Sequence, residues 1–189
     1  MLQTLYPIFR DRWSATGSVY LISDTHFLDP DCLLMNKHWI SPEEHLNIIR
    51  QTAHKNDTLI HLGDVGDVSV LEQIPKYKRP HMVLIMGNHD ESASRFTSVF
   101  DEIYTGPLLI ADKLLLSHEP IPGITWAYNI HGHDHDPAHT GDLFHRNLAS
   151  NVVGWQLTNL KDIIQTGCLK QIKSLHRSTI DKASKRKTK

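Results

Sequence analysis

HMVLIMGNHD, residues 81–90, decides the reading of this chain: an apolar run passes directly into glycine, amide, imidazole and carboxylate. Met82 to Met86 has no polar interruption, the pattern of a strand buried on both faces, as in a parallel sheet covered by other layers. Gly87 allows a tight turn at the strand's end. Asn88, His89 and Asp90 then arrive in a loop at the sheet edge, where loops from several strands converge on one crevice.

The same grammar recurs on either side. Upstream, TLIHLGD (58–64) ends in Gly63 and Asp64, and SVYLISDTHF (18–27) delivers Asp24 and His26. Downstream, KLLLSH (113–118) ends in Ser117 and His118, and AYNIHGH (127–133) in His131, Gly132 and His133. Between the first two strands lies a predicted helix from Ser41. Pro42 occupies its first position, Glu44 completes a capping box, and Leu46, Ile49 and Ala53 share one face. A shorter helix is predicted over Val70–Ile74. Beyond His89 the runs at Leu108–Ile110, Lys113–Ser117, Ala127–Ile130 and Phe144–Leu148 read as strands with short connections, a more antiparallel half. Leu157–Ile164, starting near Thr158, and Lys170–Ile180 read as closing helices.

Composition narrows the class. The chain has 189 residues, 40% hydrophobic and 22% charged, which fits one compact domain, taken as residues 1–180, with a basic disordered tail at 181–189. Twenty Lys and Arg against 21 Asp and Glu leave no overall bias toward nucleic acid or an anionic membrane. Arg10, Asp11 and Arg12 sit where a secretory leader needs apolar residues, and no run is long enough to span a bilayer. Cys32 and Cys168 are too few for a disulfide framework, so the cytoplasm is the expected compartment. The 14 histidines are the departure from ordinary usage.

Taken together, Asp24, His26, Asp64, Asn88, His118, His131 and His133 are hard or borderline donors without a thiolate, which disfavours soft-metal and structural zinc sites. The set exceeds one tetrahedral shell and suits two divalent ions about 3.5–4 Å apart that share a carboxylate. Asp64 is the chosen bridge. Two cations, two carboxylates and a hydroxide leave a small positive charge, which suits a phosphoryl group. Gly63, Gly87 and Gly132 let backbone approach the ions.

In this order, D-x-H, GD, GNHD, a lone His and HGH, the chain resembles the calcineurin-like metallophosphoesterase superfamily over Val19–Trp155. With the short length, the stretch ISDTHF (22–27) is similar to that of small bacterial and phage phosphoesterases. The resemblance implies an α/β fold, a four-layer α/β/β/α sandwich with two mixed sheets, the second closed by an antiparallel segment after His145. It assigns Asp24, His26 and His133 to a first metal and Asn88, His118 and His131 to a second, with Asp64 between. His89 would lie near the phosphate as the catalytic acid, and Asp90 would orient its imidazole. Manganese is the expected metal, with iron, zinc, cobalt and nickel compatible with the donors.

The reaction so implied is hydrolysis of a small phosphorylated substrate, a phosphodiester in first place, by hydroxide held between the ions. A nuclease and a non-catalytic scaffold of the same fold are the rivals. The filled ligand positions oppose the scaffold, and the neutral charge opposes long nucleic acid. The short interval from His118 to His131 leaves little room for a cap or inserted substrate domain, so specificity is placed in Phe27–Trp39, with Asn36, Lys37 and His38 at a rim over the pocket. Asp67 is read as a cap or turn residue, and His45, His54 and His61 as core or surface. His135 and His139, with Asp134 and Asp136, are read as a solvated loop, and Trp126 and Tyr128 as packing. His145, Arg146 and Asn147 fit a strand as well as a substrate contact.

Overall fold

The computed structural model describes residues 2–5, 13 and 17–173. The predicted strands form for the reason read in the sequence: β2 (Val19–Ile22), β3 (Thr58–His61) and β4 (His81–Ile85) run parallel and side by side. Two short strands complete this sheet. β5 (Glu102–Tyr104) pairs parallel to β4, and β10 (Thr158–Asn159) pairs antiparallel to β2. The order is β10-β2-β3-β4-β5. Successive side chains point to opposite faces, so Leu59, Met82 and Leu84 face outward while Ile60, Val83 and Ile85 face inward.

The second sheet has the order β1-β6-β7-β8-β9, with β1 at Gln3–Thr4, β6 at Leu108–Ala111, β7 at Leu114–Leu116, β8 at Tyr128–His131 and β9 at His145–Asn147. Its direction corrects the sequence reading. Only β6 and β7 pair antiparallel, across a register shift between Leu109 and Ala111, whereas β7–β8 and β8–β9 are parallel. The edge strand after His145 is therefore parallel too. The connections over 117–127 and 132–144 are crossovers long enough to return the chain to the same end of the sheet, which parallel pairing requires.

Leu21, Ile60, Val83, Leu108, Leu116 and Ile130 belong to the core between the two sheets, fully buried. α1 (Cys32–Met35), α2 (Pro42–Thr52) and α3 (Ser69–Glu72) follow β2 and β3 in sequence, and α2 and α3 cover the outer face of the first sheet with Leu46, Ile49, Val70 and Leu71. α2 begins as the sequence implies. Ser41 Oγ accepts from Glu44 N at 3.2 Å and Glu44 Oε2 accepts from Ser41 N at 2.9 Å, a complete capping box. The fourth layer, over the outer face of the second sheet, is thin. Among the described residues it is the non-helical segment 118–127, whose Ile124 and Ala127 pack on Leu115.

The closing helix, α4, starts later than predicted, at Leu160 and running to Gln165, because Thr158 and Asn159 are taken by β10; Asn159 then caps it by accepting from Lys161 N at 2.9 Å. Residues 170–173 are not helical, and the remainder of the predicted second helix and the basic tail lie outside the described residues. Cys32 and Cys168 are both free thiols. No helix among the described residues is long and apolar enough to cross a membrane.

Candidate metal centre

Parallel pairing puts the C-terminal ends of β2, β3, β4, β7 and β8 at one edge of the sandwich, and the five motifs follow those ends. The loops fit together closely. A Cβ on Gly87 would collide with the Asp64 carboxylate, and one on Gly132 with Ser23 Oγ and Asp24 Oδ2. Asp24, His26, Asp64 and His133 all hold positive φ, between 41° and 69°, a conformation disfavoured for residues with a Cβ and concentrated here at the loops that carry the donors.

Two groups of donor atoms result. Asp24, His26 and His135 form one and Asp64, His118 and His133 the other, with the atoms of each group within 4.8 Å of one another. Asn88 joins the second, its Oδ1 lying 2.9 Å from His118 Nε2 and 3.1 Å from His133 Nδ1. Asp64 lies between them: its Oδ2 is 3.3 Å from His118 Nε2 and 3.7 Å from His26 Nε2, while its Oδ1 accepts from His89 N at 2.9 Å.

The proton positions decide whether a cation fits. His118 Nδ1 faces the Leu62 carbonyl at 2.9 Å, so that nitrogen carries the hydrogen and the neutral ring's Nε2 keeps a lone pair. His26 Nδ1 faces Asp29 Oδ2 at 3.2 Å, and its buried Nε2 has no hydrogen-bond partner. His135 Nδ1 donates to Asn151 Oδ1 at 2.9 Å, with Nε2 toward Asp24 Oδ1 at 3.6 Å. Three imidazoles are thus held by their Nδ1–H groups with Nε2 lone pairs turned on carboxylate and amide oxygens. Facing lone pairs without hydrogens between them repel unless a cation or proton intervenes, so the donor set fits divalent metal.

Electrostatics agree. Burial works against the Asp64 carboxylate, but hydrogen bonding and charge from His118, with the His89 N–H, hold it down at about 2. Burial lowers the pKa of His26. It does the same to His118, yet the Asp64 carboxylate beside that ring overcomes it and the net shift is upward, a proton standing where a cation fits.

The geometry departs from the sequence assignment at three residues. His133 sits with Asn88 and His118 rather than with Asp24 and His26. His135, read as part of a solvated loop, takes that place. His131 belongs to neither group; it ends β8, its Nδ1 faces the Gly132 carbonyl at 2.8 Å, and it lines a separate cavity with His139 and His145. A signal for this register was present. In GD and GN the donor follows the glycine directly, so in GHDH (132–135) the pair is His133 and His135. Asp90 is the third departure. Its oxygens accept from Asp64 N, Val65 N and Gly87 N at 2.8–3.0 Å, which ties the β3 and β4 loops together and leaves orientation of the His89 ring to other contacts.

His89 itself is exposed, its ring edge-on to His26 with centroids 5.5 Å apart. Asp67 accepts from Ser69 N at 2.9 Å, a turn role, and Tyr128 and Trp126 pack in apolar clusters. Lys37 is exposed, and the rim segment reaches the centre instead through Trp39, whose ring lies 5.8 Å from His26 and 5.7 Å from His135. Asp29, Asn151 and Trp39 have no motif of their own and become legible only when the loops are folded.

The sequence profile described as calcineurin-like phosphoesterase matches residues 17–137. Among solved structures, a protein of unknown function from Aquifex aeolicus, AQ665, is similar with a TM-score of 0.62 at 23% identity, over 79% of this chain and 98% of its own. The nuclease MPE of Pseudomonas putida matches at 21% identity over 61% of this chain and 60% of its own, with a TM-score of 0.37. A search of curated proteins finds no match. The profile spans most of the chain and contains every donor of both groups; the chain belongs to the calcineurin-like phosphoesterase family.

Proposed function

We propose that this chain is a dinuclear-metal phosphoesterase that hydrolyses a small phosphodiester. The observation that carries the reading is the pair of donor groups meeting at Asp64 Oδ2. Asp24, His26 and His135 would hold one divalent ion and Asn88, His118 and His133 the other, with Asp64 common to both. Bound there, the ions supply Lewis acidity toward a phosphoryl oxygen and a lowered pKa for water. Carboxylate, imidazole and amide donors without a thiolate suit manganese, with iron, zinc, cobalt and nickel as alternatives.

The residues do the rest. His89, exposed and edge-on to the buried His26 ring, would give a proton to the leaving alkoxide, a contribution of roughly 10²–10⁴-fold. Its backbone N–H fixes Asp64 Oδ1, so the same loop that carries the acid also sets the shared carboxylate. Asp90 locks that loop against the β3 loop. A diester is preferred to a monoester because cavities flank both donor groups. One of about 500 Å³ borders His26, and one of about 400 Å³ borders Asn88 and His118, room for a substituent on either side of a phosphate. The free thiols fit a reducing compartment, and the cytoplasm is the proposed location.

The test is hydrolysis of bis-p-nitrophenyl phosphate beside p-nitrophenyl phosphate, after metal stripping and Mn²⁺ addition, with His89→Ala as control. The expected result is metal-dependent diester cleavage that falls about 10²-fold or more in the variant while metal content stays unchanged. Monoester preference would move the proposal to phosphometabolites. Inactivity on both with two metals bound would sink it.

A further inference from the structure

The cavity beside His26 carries a statement about substrate. It lies between the β2 loop and the start of α2, and its apolar wall is Phe27, Leu28, Leu33, Trp39, Ile40 and Pro42. Its mouth is apolar as well. Of its lining residues Leu28 and Leu33 are 60% and 65% exposed, two of the few large hydrophobic side chains that the described residues leave open to water, and Leu34 and Met35 follow Leu33 in sequence. Such a cluster at the rim of a site is the signature of a surface that meets an apolar group.

Aromatic rings back the cavity on the side of the donor groups. Trp39 stands edge-on to His26 and to Trp155, with centroids 5.8 and 4.9 Å away, and Trp155 in turn meets His45 at 6.0 Å. His45 lines the cavity, 1% exposed, and its Nε2 has no hydrogen-bond partner. Charge completes the picture. No Lys or Arg lines this space; its acidic groups are the carboxylates of Asp29 and Glu44, one engaged by His26 and Asp31 N and the other by Ser41. A second phosphate, or the continuing backbone of a nucleic acid, would meet negative charge without a cation to answer it.

Resting on the phosphodiesterase reading above, we infer that this cavity receives the substituent of the substrate on the His26 side of the phosphate, and that this substituent is an uncharged planar ring of aryl or nucleobase size. The wall fits a ring by edge and face contacts with the half-buried Trp39 and by apolar contact with Leu28, Leu33 and Ile40. The two carboxylates weigh against polyphosphates and long nucleic acids on this side.

The experiment holds the leaving group constant. Methyl, phenyl and thymidine-5′ p-nitrophenyl phosphates are compared on the Mn²⁺-loaded enzyme, and metal-free protein is titrated with thymidine and with phenol while tryptophan fluorescence is followed. The expected result is a KM at least about tenfold lower for a ring-bearing ester than for the methyl ester. Leu33→Asp should shrink that ratio toward one, and Leu33→Phe should preserve it. A nucleobase source gives thymidine the lower KM and a saturable fluorescence change, and an aryl source gives phenyl both. Equal KM for the three esters, or a ratio unmoved by Leu33→Asp, would overturn the inference while leaving a phosphodiesterase. Saturable ring binding that Leu33→Asp weakens, without turnover of any ester, would uphold the cavity and remove the phosphodiesterase reading instead.

Discussion

At the scale of single residues, two of the five motifs were ambiguous in ways that composition could not resolve. His131-Gly-His-Asp-His135 holds two overlapping H-x-H pairs, and the choice between them is a matter of where β8 ends. With the strand continuing through His131, that imidazole points away and the pair after Gly132 meets the other loops. His135→Ala should therefore bind one metal equivalent less, whereas His131→Ala should keep the full complement; elemental analysis of the purified variants reads both. Equal loss in the two variants would contradict the geometry. Asp90 makes a second test. Its carboxylate satisfies three backbone N–H groups that would otherwise be orphaned. Asp90→Ala should cost about 3–5 kcal/mol in chemical denaturation and weaken metal binding, while His89→Ala leaves both nearly intact. A ring-orienting role would instead give the two variants the same kinetic defect on an undisturbed fold.

At the scale of elements, what was legible was what local physics controls. The buried strands β2, β3 and β4 and the capped helix α2 could be read because apolar runs and caps are written in adjacent residues. Short strands such as β5 and β10 carry no such signal; their pairing is imposed by the neighbour, with Met86 N donating to the Tyr104 carbonyl at 2.9 Å beside β5. The direction of β8 and β9 was misread for a related reason. Strand polarity depends on the path of the intervening chain, and the segments 117–127 and 132–144 have turn-rich sequences that look like short links. The capping box supplies the prediction at this scale. Ser41→Ala removes the acceptor for Glu44 N and the anchor for its carboxylate, so it should lower stability by about 1 kcal/mol in urea denaturation. Because α2 also carries His45 to the wall of the cavity beside His26, the same variant should raise KM more than it lowers kcat.

At the scale of the whole molecule, the same sandwich that gathers the donors also buries histidines outside both donor groups. His45 lies against Phe27 and Trp155, and His61 is joined to Thr25 Oγ1 at 2.9 Å and to Gly63 N at 3.2 Å. Burial lowers their pKa values to about 4 and about 3, against 6.5 for the free side chain. The sign follows from proton counting. Between pH 6.5 and the folded values the unfolded chain binds more protons, so stability is fully present above 6.5 and is lost as the pH falls through that window. For His45 alone the loss amounts to about 2 kcal/mol by pH 5, obtained from those two values. His45→Phe removes this titration and fills the same space between aromatic rings. Metal-free protein should therefore lose about 2 kcal/mol more stability than the variant between pH 7.5 and pH 5, with carboxylates and metal-binding histidines cancelling in the comparison. Urea denaturation at the two pH values measures the difference. Parallel losses in both proteins would mean that His45 charges without unfolding the packing around it, and that water reaches the cavity wall more freely than its burial implies.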